Sequence, residues 1–160
     1  MGWLLARTLV FTVVVPGSVI VLIPRWILRG QPVLGSPWLV AAGALLVAAG
    51  GALLARCFWA FMAEGRGTPA PWDPPRRLVV RGPFSRVRNP IYLGVLAVLT
   101  GEAGLFSSGA LLAWAVIAAL LFHGAVVLYE EPGLRRRFGA DYERYLREVP
   151  RWVPRLSGFR

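Results

Sequence analysis

Lysine is missing altogether from this 160-residue chain, and all 18 of its basic residues are arginine. Acids are scarce too, eight against those 18, leaving a formal net charge of +10. The single cysteine, Cys57, excludes an intrachain disulfide, and with only one histidine, His123, a Cys/His zinc site is close to excluded. Polar surface is in equally short supply. The chain is 56% hydrophobic and 16% charged, with a mean hydropathy of +0.57. A water-soluble domain of this size needs more polar residues than that to cover itself. A basic excess can mark nucleic-acid binding. In so apolar a chain it reads instead as positive-inside bias and contact with anionic lipid head groups, with no nucleic-acid partner.

What the chain does have is long apolar runs. The first, Trp3 to Ile23, is broken only by Arg7. No small-x-small cleavage site closes it as a signal peptide, so it is expected to be a transmembrane helix, kinked at Pro16 and ending near Pro24. The second, Trp38 to Met62, carries Arg56 as its one charge and is long enough to cross ~30 Å of hydrocarbon. Its small residues Gly43, Ala44, Ala48, Gly51, Ala52 and Ala55 recur at helical spacing and predict a close helix neighbour. Trp3, Trp26, Trp38 and Trp59 sit near the run ends, as interface anchors do. The third run, Ile91 to about Phe106, carries Glu102, and after a Ser107–Gly109 turn the fourth, Ala110 to Tyr129, is uncharged. These two read as a helical hairpin. The expected fold is therefore all-α: one polytopic membrane domain over residues 1–160, with about four transmembrane helices near 3–24, 38–62, 90–106 and 109–131. A loop over 63–89 separates the second helix from the third.

The tail adds an amphipathic helix over 132–149. Leu134, Phe138, Tyr142, Tyr145 and Val149 recur at spacings that make one apolar face, with arginines on the other. Such a helix lies on the membrane surface or folds back over the bundle. Six arginines fall in the 64–89 loop and eight in the tail. The positive-inside rule then places both termini, the loop and the tail helix on the cytoplasmic side of what reads as a bacterial inner membrane.

Several features on that face suit chemistry. In RGPFSRVRNPIYLG, Arg81 to Gly94, Pro90 fits the first turn of a helix and Asn89 fits its cap. A helix start flanked by Arg86 and Arg88 attracts a carboxylate or phosphate. Capping and positive-inside charge do not account for Tyr92 just inside the helix. Glu130 and Glu131 precede Pro132 where a helix dipole disfavours acids. They are either a solvated pair beside Arg135–Arg137 or carboxylates held for the hydroxyls or amino group of a ligand. His123 lies seven residues before Glu130, which predicts a shared helix face. It is either a hydrogen-bonding bundle residue or a functional one.

The GPFSRVRNPIYLG stretch, followed some forty residues later by EEPGLRRRFGADYERYLREVPRWVP, resembles the isoprenylcysteine carboxyl methyltransferases, which belong with the phospholipid N-methyltransferases among integral membrane methyltransferases. The resemblance runs from about Gly67 to Pro154 and includes the GTPAPWDPPRRLVV loop. It implies S-adenosylmethionine bound at the cytoplasmic helix ends and a lipophilic acceptor arriving from the bilayer. The cofactor contacts it implies are Arg76, Arg77, Leu78 and Val79, then Phe84, then Asn89, Pro90, Ile91 and Tyr92, and Glu130. Arg88 is added as a partner for the donor's carboxylate. Asn89 stands where the family often has His. Val126 stands where the eukaryotic isoprenylcysteine enzymes carry a substrate-coordinating arginine, which puts a prenylcysteine acceptor in doubt. No GxGxxG loop in a βαβ setting offers the soluble alternative. A carboxylate or thiolate acceptor needs no base. An amine or phenol does, and His123 or Glu131 are the candidates, with Tyr92 beside them. No metal is called for. A non-catalytic scaffold or transport accessory that kept the fold is the alternative.

Overall fold

The computed structural model describes residues 16–29, 36–61, 63 and 78–159. The structure is helical, with no strand among the described residues. Helix α1 joins a π-helical turn, Ser18–Leu22, to an α-helical turn, Ile23–Ile27; α2 spans Pro37–Ala60. After a 3₁₀ turn, Gly82–Ser85, α3 runs Pro90–Leu105. Helix α4 covers Gly109–Ala125 and ends in a second π-helical turn, Val126–Glu130, from which α5, Glu131–Glu148, continues directly, with a kink at Gly139, whose φ is 51°. Most of the expected first helix and of the 63–89 loop lies outside the described residues.

Among the described residues two helical stretches are long and apolar enough to cross a membrane: α2 and the apolar part of the continuous α4–α5 helix. Helix α3 is apolar but shorter, its 16 residues rising about 24 Å. Large apolar side chains face outward along α2 and α4, with Trp38, Leu45, Trp59 and Leu120 all at least two-thirds exposed. An outer surface of this kind suits lipid, not water. Ser36 and Ser108 cap α2 and α4, their hydroxyls accepting from Leu39 N (3.4 Å) and Leu111 N (3.3 Å). Glu102, on the far part of α3, keeps a buried Oε2 with no hydrogen-bond partner among the described residues.

Both π turns end two residues before a proline, Pro24 and Pro132. A proline inside a helix removes an N–H and pushes its ring against the carbonyl of the preceding turn. Widening that turn relieves the clash, so the chain continues where a break was expected. Helix α1 accordingly does not stop at Pro24 but runs on to Ile27. Counted in π register, Pro24 leaves the Val19 carbonyl without its donor, and the Trp114 indole N–H from α4 supplies one at 3.2 Å.

Helices α2 and α3 approach through glycines. A Cβ on Gly43 would sit 2.5 Å from the Gly101 carbonyl oxygen, and one on Gly50 would sit 2.7 Å from that of Gly94. The close neighbour was expected, but on a different set of residues. Of the small residues named from the sequence only Gly43 is buried, and Gly51 faces open space. The contact row is Gly43, Gly50 and Cys57, spaced by seven. Around it Leu54, Val95, Val98, Leu99, Ala115 and Ala118 form the main core.

Gly101→Leu is expected to lower the thermal unfolding midpoint in detergent, because the backbones must part; overpacking of this kind costs roughly 1–3 kcal/mol. Gly51→Ala should leave the midpoint unchanged. Equal midpoints for wild type and Gly101→Leu would show that the glycines are not a close-packing row.

Candidate active site

The site begins with the turn before α3. Gly82 adopts a positive φ of 59°, which reverses the chain cheaply only at glycine, and the 3₁₀ turn then buries Phe84 against Cys57, Ala60 and Val79. Pro90 occupies the first turn of α3, as expected. Asn89 does not cap that helix with its side chain. Its amide instead donates to the Arg151 carbonyl at 3.1 Å.

That bond is one of several that strap residues 149–159 along the turn. Arg88 N donates to Pro150 O (3.0 Å), Arg155 N to Arg86 O (2.9 Å) and Phe159 N to Ser85 O (2.8 Å). Helix α5 closes the other side. Its predicted apolar face forms: Tyr142, Tyr145 and Val149 are buried, with Leu134 and Phe138 packed against them. The Tyr145 hydroxyl donates to Phe84 O at 2.6 Å, so α5 folds back over the bundle.

The two adjacent carboxylates separate. Glu131 is buried and takes two guanidinium groups. Arg88 Nη1 donates to its Oε1 at 2.9 Å, while Arg151 Nε and Nη2 form a fork to Oε1 and Oε2 at 2.7 and 3.0 Å. A carboxylate paired in this way stays ionised and is a poor proton acceptor. Glu131, one of the candidate bases, thus stands as a clamp between two arginines. It is not a solvated residue beside Arg135–Arg137 either; Arg135 pairs with Glu143. The dipole conflict seen in the sequence disappears because the helix does not end here.

Glu130 turns the other way, accepting a hydrogen bond from the Tyr92 hydroxyl. The Tyr92 ring stacks on Phe122 at a centroid distance of 4.6 Å. Beside this pair lies a cavity of about 190 Å³ between α3, α5 and the turn. Leu78, Val79, Phe84, Arg88, Asn89, Ile91, Tyr92 and Glu130 all line it, joined by Tyr142 and Tyr145. Pro90 is buried in the helix start and does not line it, and Arg76 and Arg77 lie outside the described residues. Arg88 reaches the cavity with a buried Nε that has no hydrogen-bond partner among the described residues.

His123 is not on the cavity wall. The π turn inserts a residue between it and Glu130, so Phe122, eight residues back, shares the Glu130 face instead. The His123 ring meets the strap: the Trp152 indole N–H donates to its Nδ1 at 3.1 Å. An imidazole accepting at Nδ1 has that lone pair engaged, so while this bond stands His123, one of the candidate bases, faces the strap and not the cavity.

The sequence profile of the phospholipid methyltransferases matches residues 38–141. The chain belongs to that family. The matched region holds the glycine-packed helices, the turn, Tyr92, Glu130 and Glu131, within a membrane protein. Two named relatives are similar to it. The nickel-cobalt-cadmium resistance protein NccN of Alcaligenes xylosoxydans xylosoxydans is 35% identical over 83 residues, 52% of this chain and 38% of that protein. The cobalt-zinc-cadmium resistance protein CzcN of Cupriavidus metallidurans is 31% identical over 125 residues, 78% of this chain and 53% of that protein. The match thus covers about half or less of either relative's length. No solved structure matches the chain.

Sequence reasoning missed the strap. Arg151, Trp152 and Arg155 sit past the last helical residue, where only the charge of the two arginines was counted. The clamp predicts that Glu131→Gln frees this strap. Breaking it should cost about 2–3 kcal/mol, below the roughly 3–5 kcal/mol of a fully buried pair because Arg151 is about one-third exposed. Trypsin should then cut after Arg151 and Arg155 faster than in the wild type, whereas Arg135→Gln, which opens an exposed pair, should not change cleavage. Wild-type cleavage in Glu131→Gln would remove the clamp from the account.

Proposed function

We propose that the chain is an S-adenosylmethionine-dependent methyltransferase whose acceptor is lipophilic and reaches the site from the bilayer. The observation that carries this reading is that Arg88 and the Tyr92–Glu130 pair line one cavity, in a member of a methyltransferase family. The residues fit the donor's chemistry. Arg88 suits its carboxylate, Glu130 its amino group or ribose hydroxyls, and Phe84 with Val79 and Leu78 its apolar and planar parts. Arg76 and Arg77 extend this set by sequence. At about 190 Å³ the cavity is smaller than the roughly 300–1,000 Å³ of most ligand pockets, so a nucleoside-sized ligand needs an outward shift of its walls.

When bound, S-adenosylmethionine supplies a methyl group already activated on a sulfonium. The protein's task is then positioning, with reacting atoms brought to ~3–3.5 Å. Glu130 fixes Tyr92 by taking its hydroxyl hydrogen bond, and Phe122 fixes its ring. Tyr92 therefore shapes the wall next to the acceptor, and its committed proton makes it a poor base. With Glu131 and His123 also engaged, the arrangement favours an acceptor that arrives without a proton to lose, a carboxylate or thiolate, over an amine. A lipophilic acceptor is supported by the adjoining groove of about 600 Å³ between α1 and α2, lined by Ile20, Val21, Leu54 and Phe58. It shares Pro16 with the cavity.

This reading includes one domain with four spans, α1 to α4, both termini and the site cytoplasmic, and α5 at the surface of a bacterial inner membrane among anionic head groups. The arginine distribution supports it. The names of the two relatives favour a second reading, a non-catalytic or accessory component of a resistance system.

Binding of S-adenosylhomocysteine to the purified protein in detergent separates the two. The wild type should bind, and Glu130→Ala should bind roughly ten-fold or more weakly, since a hydrogen bond to a charged group is lost. Absence of binding, or equal binding by Glu130→Ala, would overturn the cofactor assignment. Transfer of a labelled methyl group to membrane lipid extract, prenylated thiols or lipophilic acids then identifies the acceptor.

A further inference from the structure

The turn that walls the cavity has a second face. Phe84, Arg88 and Asn89 point to the cavity, whereas Pro83, Ser85 and Arg86 line a separate groove of about 550 Å³ on the outside. Its floor is apolar, with Ala52 and Leu53 from α2 and Leu93 from α3. Two exposed arginines border it, Arg56 and Arg86, and among the described residues no acidic side chain lines it. Neither arginine makes an ion pair with an acid among the described residues.

The position of Arg56 is the telling one. It is the only charge in α2, four residues before the helix ends at Ala60, and the exposed Trp59 follows it. Tryptophan in such a place marks the membrane–water boundary. An arginine at that depth, facing lipid, is unfavourable unless its guanidinium meets head groups or a bound anion. Arg86 reaches the same groove from the turn. Positive charge above an apolar floor at the boundary is complementary to one kind of molecule, an amphiphile with an anionic head.

We propose that this groove binds an anionic phospholipid, its phosphate held by Arg56 and Arg86 and the upper part of its acyl chains lying along Ala52, Leu53 and Leu93. The inference rests on the membrane placement of the chain and not on methyl transfer. A lipid seated there lies on the outer side of the Gly82–Arg88 segment whose inner side walls the cavity, so its occupancy steadies that wall.

The test reconstitutes the whole chain in phosphatidylcholine nanodiscs containing a minor fraction of phosphatidylglycerol and reads retained lipid by native mass spectrometry. The wild type should retain phosphatidylglycerol selectively. Arg56→Gln/Arg86→Gln should bind it roughly thirty-fold more weakly, the combined effect of two boundary arginines. Arg136→Gln/Arg137→Gln, the same charge change on the exposed face of α5, should bind as the wild type does. Equal retention by Arg56→Gln/Arg86→Gln overturns the proposal. So does an equal loss in Arg136→Gln/Arg137→Gln, which reports diffuse attraction, and so does complete displacement by excess inorganic phosphate, which reports a free-anion site. Arg86→Gln alone, a surface change, carries the same comparison if the double variant does not fold.

Discussion

The carboxylate of Glu131 is the joint on which the site depends. It ties together three segments far apart in sequence: the turn before α3 through Arg88, the start of α5, and the strap through Arg151. Burying a carboxylate costs several kcal/mol unless charge-assisted hydrogen bonds offset it. Arg151 reaches both oxygens and Arg88 adds a second bond to Oε1, so the carboxylate has its full set of partners only when all three segments are in place. Those segments also supply walls of the cavity, with Arg88 and Asn89 from the turn and Leu134, Tyr142 and Tyr145 from α5. The shape of the cavity is therefore set by an ion cluster at its edge, in which Arg88 is both partner and wall. This separates the roles of two neighbouring acids: Glu131 holds the frame, and Glu130 is left facing the cavity.

The frame needs a firm base, and the glycine row provides it. Backbone contact between α2 and α3 leaves no layer of flexible side chains between them. The end of α2 thus meets the turn directly, through Cys57, Ala60, Val79 and Phe84. From there the Phe84 carbonyl takes the Tyr145 hydroxyl, and α5 is fixed in turn. Close packing between membrane helices has little hydrophobic drive behind it, since lipid tails are as apolar as leucine. Small residues and directed hydrogen bonds carry that load here, as Trp114 does for α1.

Much of this was legible in the sequence because it depends on composition and period. Long apolar runs, the proline start of α3 and the tail face at Leu134, Phe138, Tyr142, Tyr145 and Val149 follow from 3.6-residue spacing and from which residues tolerate a helix end. Most of the residues implied by the family resemblance do line one cavity, from Leu78 to Glu130. The failures share a cause. A π turn is a local response to a proline that changes the helical phase by one residue, and counting at 3.6 per turn then assigns His123 to the Glu130 face when Phe122 holds it. The fate of Glu131 and of Asn89 was hidden for another reason: both are decided by Arg151, which lies at least twenty residues from either. Only the folded chain brings it to them.

Arginine counting shows the same limit from the other side. Arg81, Arg86 and Arg88 enter the positive-inside tally as equal charges, yet they stand in different surroundings. Arg81 and Arg86 are exposed, while Arg88 is largely enclosed between Glu131 and the cavity. The division follows from the backbone. Gly82 at positive φ and the short 3₁₀ turn bring Phe84 inward, and the bonds from the strap to the backbone of Ser85, Arg86 and Arg88 hold that orientation. A charge at position 86 is free to meet the membrane surface. A charge at position 88 is not, because removing it would leave Glu131 with only its Arg151 partner in a buried setting. One dense basic stretch therefore holds charges in two physically distinct settings, exposed at the surface and built into the site, and the turn keeps them apart.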